Sequence, residues 1–131
     1  MIKLCYKEYD YKIDLKSMDT FKKATGKDTW FTLVSILNAY LKSKDKNVLD
    51  MLLDVMKECD FDTAAQLFYS VIKQGESGTP LDEIRDGMQR VGYRPVDRED
   101  SDMCQPWPLL LIVLAQKFDA DLAQAIEVKK K

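Results

Sequence analysis

The chain contains no histidine, the residue that most often moves protons in enzymes near neutral pH. It also has no glycine-rich phosphate loop and no Gly-x-Ser-x-Gly nucleophile motif. Two carboxylate pairs occur at helical i, i+4 spacing, Asp82 with Asp86 and Asp50 with Asp54, but the pattern places both on outward helix faces. The sequence therefore favours a protein that is not an enzyme and uses no cofactor.

Cysteine is scarce, with only Cys5, Cys59 and Cys104 in 131 residues. Tetrahedral zinc needs four Cys or His ligands, usually in closely spaced pairs, so we predict no metal site. Scattered single cysteines are typical of buried free thiols in a reducing compartment. We therefore expect three free thiols and a cytoplasmic location.

Long apolar runs and basic clusters are also missing. The longest apolar run, residues 108–115, is far shorter than the ~20 residues of a membrane-spanning helix. Four of the first ten residues are charged, unlike in a secretory signal peptide. Lysine and arginine form one tight run, residues 129–131, without the interleaved aromatic residues of a nucleic-acid surface. We expect neither a membrane nor a nucleic acid as partner.

What is present fits one folded domain with an uneven charge distribution. The hydrophobic share of 46% and the charged share of 32% are ordinary for a folded chain, and the length suffices for one core. Residues 1–46 carry ten lysines and six acids, whereas residues 47–131 carry ten basic residues and sixteen acids. This asymmetry either steers head-to-tail contacts between copies or reflects two differently solvated faces.

The N-terminal residues 1–14 predict a β-hairpin, and a helix follows it. Lys7 and Glu8 fit the turn, and apolar side chains alternate with charged ones on both sides of it, at Ile2, Leu4, Tyr9, Tyr11 and Ile13. Leu15, Met18 and Phe21 then recur at helical spacing, and Gly26 stands where a left-handed terminating residue is needed.

Three amphipathic helices should follow and pack into one core, because each apolar stripe needs a neighbour. The first is capped by Asp28 or Thr29, and its stripe comprises Trp30, Leu33, Val34, Leu37, Tyr40 and Leu41. The stripe of the second comprises Val48, Leu49, Leu52, Val55, Met56 and Cys59. The third is capped by Asp62, and its stripe comprises Ala64, Leu67, Phe68, Val71 and Ile72.

The break at residues 75–80 predicts a further short helix, with Thr79 as its cap and Pro80 at its first position. Its inward residues are Leu81, Ile84 and Met88. The loop over residues 92–106 then carries Asp97, Glu99, Asp100 and Asp102. These acids lack the glycine and the closing glutamate of a calcium loop, so we expect a solvated loop.

The last helix is introduced by Pro106 and Pro108 and is apolar on every side over residues 109–115. Either the other helices enclose it, or a second copy or a partner covers one face. We predict the partner contacts to be Trp107, Leu110, Leu111 and Leu114. The complete prediction is a mainly α, single helical domain comprising a short N-terminal β-hairpin (1–14), a helical body (15–127) with its loop, and a basic tail (128–131).

Four segments in this order resemble a known family. They are KEYDYKIDL (residues 7–15), MDTFKKATG (18–26), TAAQLFYSVIK (63–73) and TPLDEIRDGM (79–88), and the likeness touches about two thirds of the chain in outline. The chain resembles the tail assembly chaperones of long-tailed, siphovirus-type bacteriophages.

The resemblance implies a non-catalytic protein that binds the tape measure protein and assists polymerisation of the tail tube protein. It also implies a homo-oligomer in the cytoplasm of the bacterial host that is absent from the mature virion. Two other classes stay open on the residues alone. One is a small helical adaptor or inhibitor of a host protein, and the other is a structural tail or head-completion subunit.

Overall fold

The computed structural model describes residues 1–5, 7–75, 78–92 and 103–130. Over these residues the protein is mainly helical, with six helices and a two-stranded antiparallel hairpin, which confirms the predicted fold class. The elements in chain order are β1 (Ile2–Leu4), β2 (Lys7–Tyr9), α1 (Leu15–Thr25), α2 (Thr29–Ser43), α3 (Val48–Glu58), α4 (Phe61–Gly75), α5 (Leu81–Gln89) and α6 (Trp107–Lys130).

The hairpin turns earlier than predicted. Ile2 pairs with Tyr9 and Leu4 pairs with Lys7, so Lys7 and Glu8 belong to β2 and not to the turn. Cys5 allows the earlier turn because it adopts a left-handed conformation, with φ of 60°. The register buries Ile2, Leu4 and Tyr9 in the core.

Residues 10–13 leave the hairpin and run along the helices. The backbone N–H of Lys12 donates a hydrogen bond to the carbonyl of Val71 on α4, at 2.9 Å. Tyr11 and Ile13, predicted for the second strand, are therefore half-buried against the core without pairing to β1.

Both ends of α1 are fixed by local chemistry. Asp14 and Ser17 form a capping box at its start. Gly26 adopts a left-handed conformation with φ of 75°, and its N–H donates to the carbonyl of Lys22 at 2.7 Å. The predicted termination at Gly26 is confirmed.

α4 lies at the centre of the core. Its predicted stripe is buried, and the helix packs against α1 on one side and α5 on another. The predicted cap, Asp62, is wrong: Asp60 accepts from the N–H of Thr63 at 2.8 Å, while Asp62 is exposed and pairs with Arg85. The chain enters the helix two residues earlier because Phe61 already belongs to its first turn.

α5 begins one residue later than predicted and approaches β1 closely. Pro80 is the N-cap residue and Leu81 begins the helix, so Thr79 is not the cap. Gly87 faces β1, where a Cβ atom would lie 3.3 Å from the Cβ of Leu4. Glycine therefore permits the hairpin to pack directly on this helix.

The expected faces of α2 and α3 are partly wrong. Trp30, Val34 and Leu41 on α2 and Val48, Leu49 and Met56 on α3 are exposed. The core side of α2 contains Leu33 and Ile36 together with Thr29, Thr32 and Ser43. Thr32 can be buried because its hydroxyl donates to the carbonyl of Asp28 at 2.8 Å, which satisfies the polar atom within the helix.

The cysteine prediction is wrong for two of the three residues. Cys5 and Cys104 form a disulfide across a sequence separation of 99, with their Cα atoms 4.3 Å apart. Cys59 is a buried free thiol, as expected, and burial raises its pKa to about 12. Because two cysteines are paired, free thiols no longer support the expectation of a reducing compartment.

The first half of α6 is enclosed mainly by α2, α3 and β1. Pro108, Leu110, Leu111, Ile112, Leu114 and Ala115 are buried, whereas Val113 is exposed. The helix continues through Lys130, into the segment predicted as a basic tail. No helix in the described ranges is both long and apolar enough to cross a bilayer. The predicted loop acids, Asp97 to Asp102, lie outside these ranges.

Candidate interaction site: an apolar groove beside Trp107

The four predicted partner-contact residues occupy two different environments. Leu110, Leu111 and Leu114 are buried among the protein's own helices, because the first half of α6 passes through the core. Trp107 is half-buried at the start of the helix. Burial leaves the three leucines little surface for a partner, although Leu110 and Leu114 line a cavity beside the hairpin, and partner binding through the four residues stays a prediction.

Trp107 lines an open groove of about 400 Å³, which we call the Trp107 groove. Four helices contribute to it, and its apolar lining includes Leu52 and Met56 from α3, Phe61 from α4, Met88 and Val91 at the end of α5, and Pro106 and Trp107 at the start of α6. Among the described residues of the lining, Gln89 is the one uncharged polar residue and none is charged. A concave, mostly apolar surface of this kind suits apolar side chains of a ligand.

The position of Trp107 is fixed by its neighbours in sequence and in space. Pro106 and Pro108 restrict the backbone on either side, and the carbonyl of Pro106 accepts from the N–H of Leu109 at 3.0 Å in the first turn of α6. The indole contacts the ring of Phe61 edge to face, with centroids 5.7 Å apart. The groove is therefore largely preformed around a rigid aromatic wall.

The exposed side chains of Met56 and Val91 form the rim of the Trp107 groove. Met56 is 39% exposed and Val91 is 64% exposed, while Met88 is buried at the base. Methionine adapts its shape to different apolar partners because its side chain is unbranched and polarizable. The rim can therefore accommodate more than one apolar residue type.

An apolar stripe on α3 extends the Trp107 groove. Leu49, Leu53 and Met56 recur at i, i+4 and i+7, and Leu49 and Leu53 are 74% and 53% exposed. The stripe is about 10 Å long at 1.5 Å per residue, which matches two turns of a partner helix. The groove and the α3 stripe share Met56 and therefore form one exposed apolar surface.

Polar contacts hold α3 in this orientation. Asp54 accepts hydrogen bonds from the hydroxyl of Ser43 and from Lys46, whose Nζ lies 3.2 Å away, and Lys57 lies at 3.9 Å. The Ser43 hydrogen bond, followed by that of Lys46, lowers the pKa of Asp54. The end of α2 is thereby joined to the middle of α3, and Asp54, predicted to lie on an outward helix face, is half-buried and paired.

The other predicted carboxylates are exposed. The side-chain amide of Asn47, the N-cap residue of α3, donates a hydrogen bond to the carboxylate of Asp50 at 3.0 Å. Asp86 pairs with Arg90 at 2.9 Å, and Asp82 is exposed at the start of α5. Across the described ranges, no three metal-ligating side chains form a cluster that could hold an ion.

A second apolar area lies on α2. Phe31, Val34 and Leu41 are exposed there, and Trp30 contacts Phe118 of α6 edge to face with centroids 5.3 Å apart. This area lacks the preformed lining of the Trp107 groove, because the space beside Trp30 is bordered by charged Lys12 and Asp121. The Trp107 groove is therefore the better candidate for binding.

Comparison of the chain with protein-family models, with curated proteins and with solved structures gave no match. The resemblance to tail assembly chaperones accordingly stays a prediction. Sequence reasoning identified Trp107 but missed Leu52, Phe61 and Val91, which come from three other parts of the chain. The Pro-Trp-Pro sequence was the available signal, because two prolines around an aromatic residue fix it at a helix start.

Proposed function

We propose that this protein is a non-catalytic phage tail assembly chaperone that binds the tape measure protein and assists tail tube polymerisation. It acts in the cytoplasm of the bacterial host and does not remain in the mature virion. The observation that carries a binding function is the preformed Trp107 groove, continued by the α3 stripe. The identity of the partner comes from the sequence resemblance.

Binding consists of reversible burial of apolar side chains. An amphipathic helix of the tape measure protein lies along the α3 stripe and inserts apolar residues into the Trp107 groove, as in other helix-in-groove complexes. Each fully buried large side chain contributes about 1.5 to 3 kcal/mol, against an association cost of about 4 to 15 kcal/mol. A single contact is therefore weak and is released readily when tube subunits compete for the same helix.

Several copies along one elongated partner make the weak contacts effective. Linked sites raise the effective concentration of each further contact, so total affinity rises without a stronger individual site. We therefore propose a homo-oligomer on the tape measure protein. Neither a nucleotide nor a metal takes part in this cycle.

The binding site is tested by two substitutions at equally exposed apolar residues. Leu53 in the α3 stripe and Ile126 near the end of α6 are both 53% exposed. Leu53→Asp should weaken co-purification with the tape measure protein of the same phage about tenfold, since a half-buried leucine contact is worth about 1.4 kcal/mol. Ile126→Asp should leave it unchanged. Equal effects of the two variants would contradict binding at the stripe.

Two measurements separate the chaperone from the alternative classes. Light scattering over a range of concentrations should show concentration-dependent oligomers, whereas an adaptor or inhibitor stays a monomer or dimer. Mass spectrometry of mature particles should not detect the protein. A structural tail or head-completion subunit would instead be found there at fixed stoichiometry.

A further inference from the structure

The disulfide joins two segments that are distant in sequence, and one of them leads directly into the Trp107 groove. Cys5 lies in the hairpin turn, and Cys104 lies three residues before Trp107. The carbonyl of Cys104 also accepts a hydrogen bond from the N–H of Gly92 at 2.8 Å. Cys104 is therefore connected covalently to the hairpin and by a hydrogen bond to the end of the α5 segment.

Both neighbours of this connection form walls of the groove. Val91 precedes Gly92 on one side, and Pro106 and Trp107 follow Cys104 on the other. The distance between Val91 and Trp107 thus depends partly on Cys104, which the disulfide holds in place. Breaking the sulfur–sulfur bond removes the covalent link to the hairpin, while the hydrogen bond from Gly92 to Cys104 can persist.

We propose that the Cys5–Cys104 disulfide is a redox-sensitive clasp that holds the Trp107 groove in its partner-binding shape, so that reduction weakens partner binding. The inference rests on the proposed function of the groove. Cytosolic thiols keep most cystines reduced, so in the proposed location the reduced, more weakly binding form predominates until an oxidant forms the bond.

The reaction is ordinary thiol–disulfide exchange with a cellular dithiol. One thiolate of the dithiol attacks the sulfur of Cys5, forming a mixed disulfide, and the sulfur of Cys104 leaves as a thiolate that takes up a proton. The second thiolate of the dithiol then attacks the dithiol's first sulfur, which is bonded to Cys5 in the mixed disulfide. Cys5 leaves as a thiolate and is also protonated. Two electrons pass to the protein, and the dithiol becomes a cyclic disulfide.

Access and selectivity both favour this pair. Both cysteines are buried, but Cys5 lines a second cavity of about 180 Å³ together with exposed Met103 and Gln105, and this cavity is the entry route that the proposal requires for a small reductant. Cys59 is buried and its pKa of about 12 keeps it protonated at neutral pH. Because exchange requires a thiolate, Cys59 does not interfere.

The groove can be followed without a partner. In a Trp30→Phe variant, Trp107 is the single tryptophan, and phenylalanine preserves the ring contact with Phe118. Reduction with a phosphine should move the Trp107 emission to longer wavelength while the helical circular dichroism is retained. A Cys59→Ser version should respond in the same way, and a Cys5→Ser/Cys104→Ser version should show the shifted emission with or without reductant.

Binding to the tape measure protein is then measured for the oxidised and reduced full-length chain. The oxidised form should bind about tenfold more tightly, a difference of about 1.4 kcal/mol. A protein that forms no Cys5–Cys104 disulfide on oxidation, an emission that does not respond to reduction, or equal binding in both states would overturn the clasp. Absence of binding in both states would overturn the proposed function, and the emission would still decide whether the clasp exists.

Discussion

The Cys5–Cys104 disulfide should make a large contribution to stability, and the contribution can be worked from its position. The bond spans a sequence separation of 99. In the chain-entropy model, closing a loop of about 100 residues in the unfolded state contributes about 4.7 kcal/mol at 25 °C, and removal of native disulfides from small domains typically costs about 2 to 5 kcal/mol. We expect Cys5→Ser/Cys104→Ser to lower the free energy of unfolding by about 3 to 5 kcal/mol, a large part of the about 5 to 15 kcal/mol of ordinary domains.

Urea denaturation followed by circular dichroism measures this loss. With a slope of about 2 kcal/mol per molar urea, the unfolding midpoint should fall by about 1.5 to 2.5 M. The double-serine variant should coincide with the reduced wild-type protein, since both lack the cross-link. The Cys59→Ser variant keeps the cross-link and should stay sensitive to the reductant. Coincident midpoints of the oxidised and reduced wild-type protein would refute the reasoning.

Two further predictions concern single residues. Gly26→Ala should lower the free energy of unfolding by about 1 kcal/mol, because alanine is strained at a φ of 75° even though no atom obstructs its Cβ. The same urea titration measures this loss, and an unchanged midpoint would contradict it. The pKa of Asp54 is lowered in the folded state, so its stabilising contribution is complete above the unfolded pKa of about 3.9 and is lost as the pH falls through the folded value. The melting temperature of Asp54→Asn should therefore decline less on acidification below about pH 5 than that of wild type, and parallel pH profiles would contradict the Asp54 contacts.

The sequence predicts well those helices and turns that depend on residues close together in the chain. α1 and its end at Gly26 depend on helical spacing and on one left-handed residue, and both signals are local. The hairpin was also predicted, but its turn was placed two residues late because the left-handed conformation of Cys5 leaves no mark in an apolar–polar pattern. Periodicity therefore located elements better than it located their boundaries.

Burial on α2 and pairing of the cysteines were not predictable from the same patterns. Thr29, Thr32 and Ser43 occupy the core side of α2, where an apolar stripe would be expected to lie. The hydroxyl of Thr32 bonds within its own helix and that of Ser43 bonds Asp54 on α3, and hydropathy registers neither bond. The spacing of Cys5 and Cys104 likewise gives no information about their distance, since only the packing of β1 on α6 brings them together.

The candidate site was predicted in part. Trp107 was identified from its size and its flanking prolines, and it does line the groove. The three leucines chosen with it are buried because all-round apolarity of a helix indicates enclosure by the same chain as readily as coverage by a partner. The opposite wall comes from α3 and from the end of α5, which only the folded chain brings next to Trp107.

The contact between Gly87 and Leu4 constrains which substitutions this protein can accept. A methyl group at position 87 would improve the helical tendency of α5, yet it would meet the Cβ of Leu4 at 3.3 Å. The first strand would have to shift by a few tenths of an ångström, and Cys5, the next residue, would shift with it. A substitution that favours the α5 helix would thus displace the Cys5–Cys104 disulfide. We therefore expect substitutions at positions 4 and 87 to be coupled among related sequences.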